Sequence, residues 1–522
     1  EMRRRAAGTV TSTSARSPAS SSPGALLPLG DVGSLWAQLG VRWRETDGGF
    51  LGPADPFSTV LAGLGSLTWW SPSLAVVILL VVAMPLSALT AWFAVARISR
   101  SGWPPAIAAV GWGLAPMLLV GIAEGQLPAV IAHVLLPVLF AAALAAPRSW
   151  TPAAAASLLF AAVVASAPVL APALVVLLVL LIATRPSRIH RILVIPIPAI
   201  VLAAPLVIEQ LRRGAPLALL ADPGLPVVRE SPTALDLLLG SPVAGHLGWS
   251  GVLELLGTDA IPPILAAAVL AAPLAILAVL APFLPGGHRA IPALVVAATG
   301  LVTAVGAAHL APMIVGTQAA AIWPGSGLSL YWLGLIAAAA IGVDGLGRAA
   351  AGPALIAIIL TALIAAPVAV AAVRGETAVQ PSTGRVLPAL VTAEAAERPW
   401  IGTLRIAASG EDVLVVRLER GHGTTYERLS TLATTRTEVG EQQQAIAVLA
   451  GNLASTSGRD LGADLDALGI GFVLLQAADA DSPAALRTVD AISGDDRFAV
   501  VAETPQGVLL SLIHISEPTR PY

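Results

Sequence analysis

Between residues 72 and 373 the chain is a succession of long apolar runs separated by short polar breaks. A helix needs about 20 apolar residues to cross the hydrocarbon core of a bilayer. Ten segments have that character: 73–96, 106–122, 127–146, 152–167, 169–184, 192–208, 263–284, 290–308, 328–342 and 350–372. Alternate short breaks carry Arg97 and Arg100; Arg148; Arg185, Arg188 and Arg191; Arg289; and Arg348. The breaks near 123–126 and 309–327 carry no Arg. This alternation follows the positive-inside rule and predicts that the arginine-bearing loops are cytoplasmic. Residues 152–184 form a single apolar run of 33 residues. As one helix it would be about 50 Å long, too long for a core about 30 Å thick. Two short spans turning near Ser166, Ala167 and Pro168 keep Arg148 and Arg185 on one side. Pro85, Pro116, Pro137, Pro196, Pro198, Pro205 and Pro273 fall within or at the spans. Such breaks persist where neighbouring helices or a cavity satisfy the freed backbone groups, which predicts a packed bundle around a polar cavity.

After residue 373 the pattern changes. Residues 401–407, 413–418, 471–476 and 498–503 read as strands, and another strand starts at Val508. Residues 442–455, 460–468 and 482–492 read as helices. Alternation of this kind predicts a small α/β or α+β layer. The expected fold is therefore an α-helical polytopic membrane bundle of about ten spans followed by a small α/β or α+β extracytoplasmic domain. Its parts are a Ser/Arg-rich disordered segment, 1–24; an extracytoplasmic loop region, 25–71; a membrane domain, 72–373, with a large outer loop, 209–262; and a soluble domain, 374–509. Residues 510–520 resemble the translation of a sequencing adapter, so 510–522 are expected to be an artefactual tail. Nothing before residue 72 is long enough to cross a membrane. A preceding span is expected upstream, to carry 31–71 outward.

Charge sharpens this division. Residues 72–373 hold 19 charged residues in 302 positions, and 374–509 hold 29 in 136. Over the whole chain hydrophobic residues make up 56% and charged residues 12%, against about 25% charged in soluble domains. The composition excludes a soluble globular protein of this size. The chain has no Cys, which excludes disulfides and Cys-ligated metal centres. A net charge of −3 without a basic stripe argues against nucleic-acid binding. The expected surroundings are the lipid bilayer of the cell membrane.

Few residues in the membrane half carry chemistry. Asp47 and Asp55 lie in the first outer region, where a carboxylate can act as general base for sugar transfer from a lipid carrier. Asp55, followed by Pro56, also suits a surface turn. Glu124 sits at an outer turn between two spans, and His133 lies inside the third. Ionisable groups at membrane depth are candidate functional residues, although His133 equally suits a helix–helix hydrogen bond. The long outer loop brings Glu209, Arg212, Arg213, Asp222, His246, Glu254 and Asp259. The adjacent Arg212 and Arg213 suit a lipid phosphate, because guanidinium binds phosphate oxygens bidentately; a snorkelling interfacial pair is the alternative. Asp47, Asp55 and Glu124 are thus the catalytic candidates. Arg212, Arg213, Asp222 and His133 are the substrate-binding ones. Trp69, Trp70, Trp103, Trp150 and Trp323 fall at span ends, as an aromatic belt would. In the terminal domain, Asp464 with Asp466 and Asp479 with Asp481 form Asp-x-Asp triplets. The rest of a nucleotide-binding fold is missing, so they read as solvated charges and no metal site is expected. No motif specifies a cofactor.

Six stretches in order carry a resemblance: Gly52–Phe57, Leu67–Ser73, His133–Pro137, Pro147–Trp150, Leu220–Gly224 and Gly451–Ser455. Together they resemble the polytopic C-terminal part of actinobacterial family 2 glycosyltransferases, over roughly residues 25–509. The resemblance implies a role in cell-envelope polysaccharide or glycolipid synthesis, using a polyprenyl-linked or nucleotide sugar and a glycan acceptor. In that family a cytoplasmic nucleotide-sugar domain precedes the membrane region. No residue here matches its metal-binding or base carboxylates, so this stretch is either catalytic in its own right or a non-catalytic part of the enzyme. A glycolipid transporter or flippase, or a membrane scaffold, is the competing expectation.

Overall fold

The computed structural model describes residues 9–12 and 26–513, apart from 41–43, 47–49, 98, 100–101, 246–247, 259–260, 316–317, 376–378, 380–385, 399, 410–412, 422, 437–439, 456, 478–482 and 505–506. Among the described residues, six helical segments are long and apolar enough to cross a membrane: Pro72–Ala96, Trp103–Ala123, Leu127–Ala145, Pro263–Phe283, Gly287–His309 and Gly325–Arg374. Two bent pairs raise the number to eight if each is one span. The ten expected segments all fall on these helices, but by length and composition they make six to eight candidate spans, one of them folded back on itself, and a count of ten is not confirmed. The difference lies at the breaks. Trp150–Ser166 and Pro168–Thr184 are bent by 119° at Ala167, the turn the sequence predicts, and Pro186–Leu193 and Ile197–Arg212 are bent by 51°. Hydropathy locates such breaks and is blind to their angle.

The last candidate span, 50 residues long, would measure about 75 Å if straight. It folds back instead. Its first helix, Gly325–Leu346, and its later helix, Ala351–Leu363, both lie on Gly111 of the same neighbouring helix, through Ile336 and Thr361. By Val379 the chain is back at the turn after the second span, where its N–H donates to the Ala123 carbonyl. Small residues allow the closest pairing in the bundle. A Cβ at Gly334 would lie 2.3 Å from the Ala297 backbone nitrogen, so Gly325–Leu346 and Ala290–His309 touch backbone to backbone. Large apolar side chains such as Val81, Leu158, Ile200 and Val302 remain exposed on the outside of the bundle, as lipid contact requires.

The bundle has two distinct ends. At one, Ser99 Oγ donates to Asp344, Gly345 packs on Pro285, and Arg191 donates to the Pro147 carbonyl, which gathers the arginine-bearing breaks. The other end collects the described parts of 26–68 and 213–262, the turn at Glu124 and segment 424–435 of the terminal domain.

Among the described residues there are ten strands. β1 (Thr9–Ser12) comes from the segment the composition marks as disordered; β2 (Arg44–Thr46) and β3 (Phe50–Gly52) form one hairpin, and β4 (Met313–Val315) and β5 (Gln318–Ala320) another. The terminal domain holds β6 (Gly402–Ser409), β7 (Val413–Arg420), β8 (Ile470–Ala477), β9 (Phe498–Thr504) and β10 (Gly507–Leu512). Its sheet runs β1-β7-β6-β8-β10-β9, with β8 parallel to β6 and β10 antiparallel to its two neighbours. Leu404, Ile406, Val473 and Leu475 bury one face against Ile446, Leu449 and Leu453 of helix Glu441–Ala454 and Ile492 of helix Pro483–Ser493. Phe472, Leu474 and Leu509 bury the other against Leu387 and Val391. Leu510 is also fully buried, so the last strand runs three residues into the adapter-like stretch.

Segment 424–435 of this domain rests on the membrane half. The Tyr426 N–H donates to the Pro28 carbonyl (3.0 Å), and the Gly30 N–H donates to the Glu427 carboxylate. Gln210 Nε2 donates to Thr435 Oγ1 (3.0 Å). The domain is therefore docked on the loop end.

Candidate functional site

Loop 213–262 leaves the helix Ile197–Arg212 and makes a short 3-10 turn at Pro216–Leu220, and the chain then carries Asp222 under the start of helix Gly325–Leu346. One Asp222 oxygen accepts the Trp323 N–H at 2.6 Å. Among the described residues no second protein donor reaches this carboxylate. Burial pushes Asp222 up to about 7, with the Trp323 N–H and the nearby Arg229 pulling the other way. Its own surface remains partly open while its surroundings are dry, the setting in which a carboxylate is poised as a base near neutral pH.

Arg229 organises the rest. Its Nη2 donates to Glu124 Oε2 at 3.3 Å, and its guanidinium carbon lies 4.9 Å from the centre of the Trp323 ring. Arg229 Nε and Trp323 Nε1 are both buried without a hydrogen-bond partner among the described residues. A buried unpaired N–H is costly, so the cluster is set up to receive an acceptor. Tyr426 closes the site from the terminal domain. Its hydroxyl lies against Gly224, where a Cβ would be 2.7 Å away, and its ring meets Phe57 edge-on at 6.0 Å. Gly224 also has φ +115, so a side chain there is excluded on both grounds. Burial, with the charge of Asp222 adding to it, pushes the Tyr426 hydroxyl well above its ordinary range.

Two of the residues expected from sequence, Glu124 and Asp222, thus meet around Arg229. The others lie elsewhere. Asp55 is buried and accepts from both the Thr431 N–H and Thr431 Oγ1, each at 2.9 Å. Arg213 pairs with Glu209 one turn back on its own helix at 3.2 Å and donates Nη1–H to the Leu432 carbonyl, a docking interaction, while Arg212 is exposed. His133 stacks on Trp112 with ring centres 3.8 Å apart. Its Nε2–H donates to the Trp112 carbonyl (3.1 Å) and Nδ1 lies 2.9 Å from Ser329 Oγ, so both ring nitrogens are engaged between helices. Asp47, His246, Asp259, Asp479 and Asp481 lie outside the described residues. Asp464 and Asp466 occupy the helix Gly462–Ala467, with Asp464 paired to Arg459.

Arg229, Trp323 and Tyr426 escaped the sequence reading. Trp323, at a span end, reads in the sequence as part of an aromatic belt. A signal for Arg229 existed: it is an arginine on the side where the positive-inside pattern disfavours one.

The apolar helices, with a polar cluster at one end, define a multi-pass membrane protein with an α/β domain docked on it. No protein-family model matches the chain, and no curated protein matches it. A cryo-EM structure of the arabinofuranosyltransferase AftD from mycobacteria aligns over 94% of this chain and 38% of its own length, with 18% identity and a TM-score of 0.48. The chain therefore spans well under half the length of that protein.

Proposed function

We propose that this chain is the membrane portion of a glycosyltransferase of cell-envelope polysaccharide or glycolipid synthesis, and that sugar transfer takes place at the Asp222–Arg229–Trp323 cluster. The observation that carries this reading is the juxtaposition of a carboxylate, raised by burial to about 7, with one oxygen unengaged among the described residues, and a guanidinium with a buried N–H likewise unpaired among them. The loop end and the terminal domain face outward, and the arginine-bearing end faces the cytoplasm. The donor is a sugar on a lipid phosphate, since that carrier presents its headgroup at the membrane surface. An acceptor hydroxyl attacks the anomeric carbon and gives its proton to Asp222. The bond from that carbon to the phosphate oxygen breaks, and the phosphate leaves with the electron pair, its charge held by Arg229. Trp323 offers a flat face beside the guanidinium. Glu124 positions Arg229, and Asp55 is a docking residue.

Binding of a fluorescent short-chain polyprenyl-phosphate sugar to the full chain in nanodiscs tests this reading. Arg229→Gln is expected to weaken binding about ten- to a hundredfold, the effect of losing a charge-assisted hydrogen bond. Unchanged affinity, with the protein still folded, removes Arg229 from the site. Tighter binding of a nucleotide sugar than of the lipid-linked one contradicts the outward-facing donor.

A further inference from the structure

We infer that the arginine-bearing end holds a binding site for the phosphate headgroup of an anionic membrane lipid, built on Arg191 and Trp150. The site lies at the opposite end from Asp222, so it stands independently of the proposed sugar transfer.

The first observation is the state of Arg191. Its Nη1 donates to the Pro147 carbonyl at 3.0 Å, which fixes the guanidinium between the third span and the helix Trp150–Ser166. Its Nε is buried with no hydrogen-bond partner among the described residues. The guanidinium carbon lies 5.6 Å from the centre of the Trp150 ring, and the His190 ring lies 5.6 Å from the same ring. The cation is held in place, yet one of its donors has no acceptor.

The second observation is charge without compensation. Arg148, Arg185, Arg188 and Arg191 lie on the two breaks that meet here, and the sequence has no Asp or Glu between Glu124 and Glu209. Asp344, the acid at this end, is engaged by Ser99. None of the four arginines has an ion-pair partner among the described residues. A cluster of four cations beside membrane spans attracts anionic headgroups. Guanidinium in particular suits phosphate, which it binds through two parallel N–H donors.

The third observation selects a lipid over a free anion. Ile189 and Leu193, on the same short helix as Arg191, are exposed to 42% and 51%, and Trp150 to 54%. Apolar side chains flanking cations fit the boundary between headgroups and acyl chains. A soluble phosphate compound would gain nothing from them.

The test uses the full chain in nanodiscs, with native mass spectrometry counting retained lipids. Phosphatidylglycerol is the anionic probe, phosphatidylcholine the neutral one, and inorganic phosphate the competitor. Wild type is expected to retain phosphatidylglycerol in preference. Arg191→Gln should cut that preference about fivefold, the value of one cation near an anionic surface, without changing phosphatidylcholine retention. Arg148→Gln with Arg188→Gln, both exposed and therefore safe for folding, should reduce it further and stands in if Arg191→Gln fails to fold. Millimolar phosphate should not displace the lipid. Equal retention of the two lipids by wild type, displacement by phosphate, or unchanged preference in the double variant overturns the proposal.

Discussion

Asp222→Asn should lower the rate of sugar transfer by about 10²–10⁴, the usual cost of losing a positioned general base, and leave the protein folded. The amide keeps an oxygen to accept the Trp323 N–H and loses only the ability to take a proton. Burial raises the Asp222 carboxyl to about 7, so the wild-type rate should climb as pH rises through that value and fall below it. Stability has the opposite dependence. A folded-state pKa above the ordinary carboxylate value means that the charged form is the disfavoured one. The stabilisation belongs to the protonated form, present in full below the ordinary carboxylate pKa and lost as pH rises through about 7. At about pH 8 the variant should therefore unfold at a temperature no lower than wild type. Initial rates and thermal unfolding on either side of neutrality check both halves. A folded variant with undiminished rate removes Asp222 from the chemistry.

Asp55 should behave in the reverse way. Its oxygens accept from the backbone and the hydroxyl of Thr431 across the join between the membrane half and the terminal domain. Asp55→Ala leaves a buried N–H without that acceptor, at a cost of about 1–3 kcal/mol, and loosens the segment that carries Tyr426. Hydrogen exchange should accelerate at residues 424–435, and transfer should fall with it because the site is no longer closed. Asp55→Asn keeps an oxygen for Thr431 and should retain most of the rate and most of the protection. A loss of 10² or more in Asp55→Asn with protection intact would instead make Asp55 a base, as its place in the first outer region suggests.

Much of this architecture is legible in the sequence because hydropathy and alternation are local signals. The expected strands and helices after residue 400 match those observed to within a few residues, and the break in the apolar run falls at Ala167 as its length demands. The site is legible only in fragments, because its contacts are distant in the chain. Arg229 and Glu124 are 105 residues apart, Trp323 and Asp222 are 101, and Thr431 and Asp55 are 376. No periodicity links such pairs. Asp55 and Asp222 look alike as outer-loop carboxylates, and their difference is a matter of partners. Thr431 satisfies one with two donors, and the other meets a single N–H in a dry setting. The number of spans is similarly beyond hydropathy, since two apolar helices bent by 119° and a straight pair share one profile.

The most direct measurement is photo-crosslinking of the full chain in nanodiscs with a polyprenyl-phosphate sugar carrying a photoactivatable group near its phosphate, followed by peptide mapping. The account predicts saturable labelling of the peptides containing 222–229 and Trp323, displaced by unlabelled donor and lost in Arg229→Gln. Saturable labelling confined to the terminal domain, or to the peptides around Asp55, would contradict it.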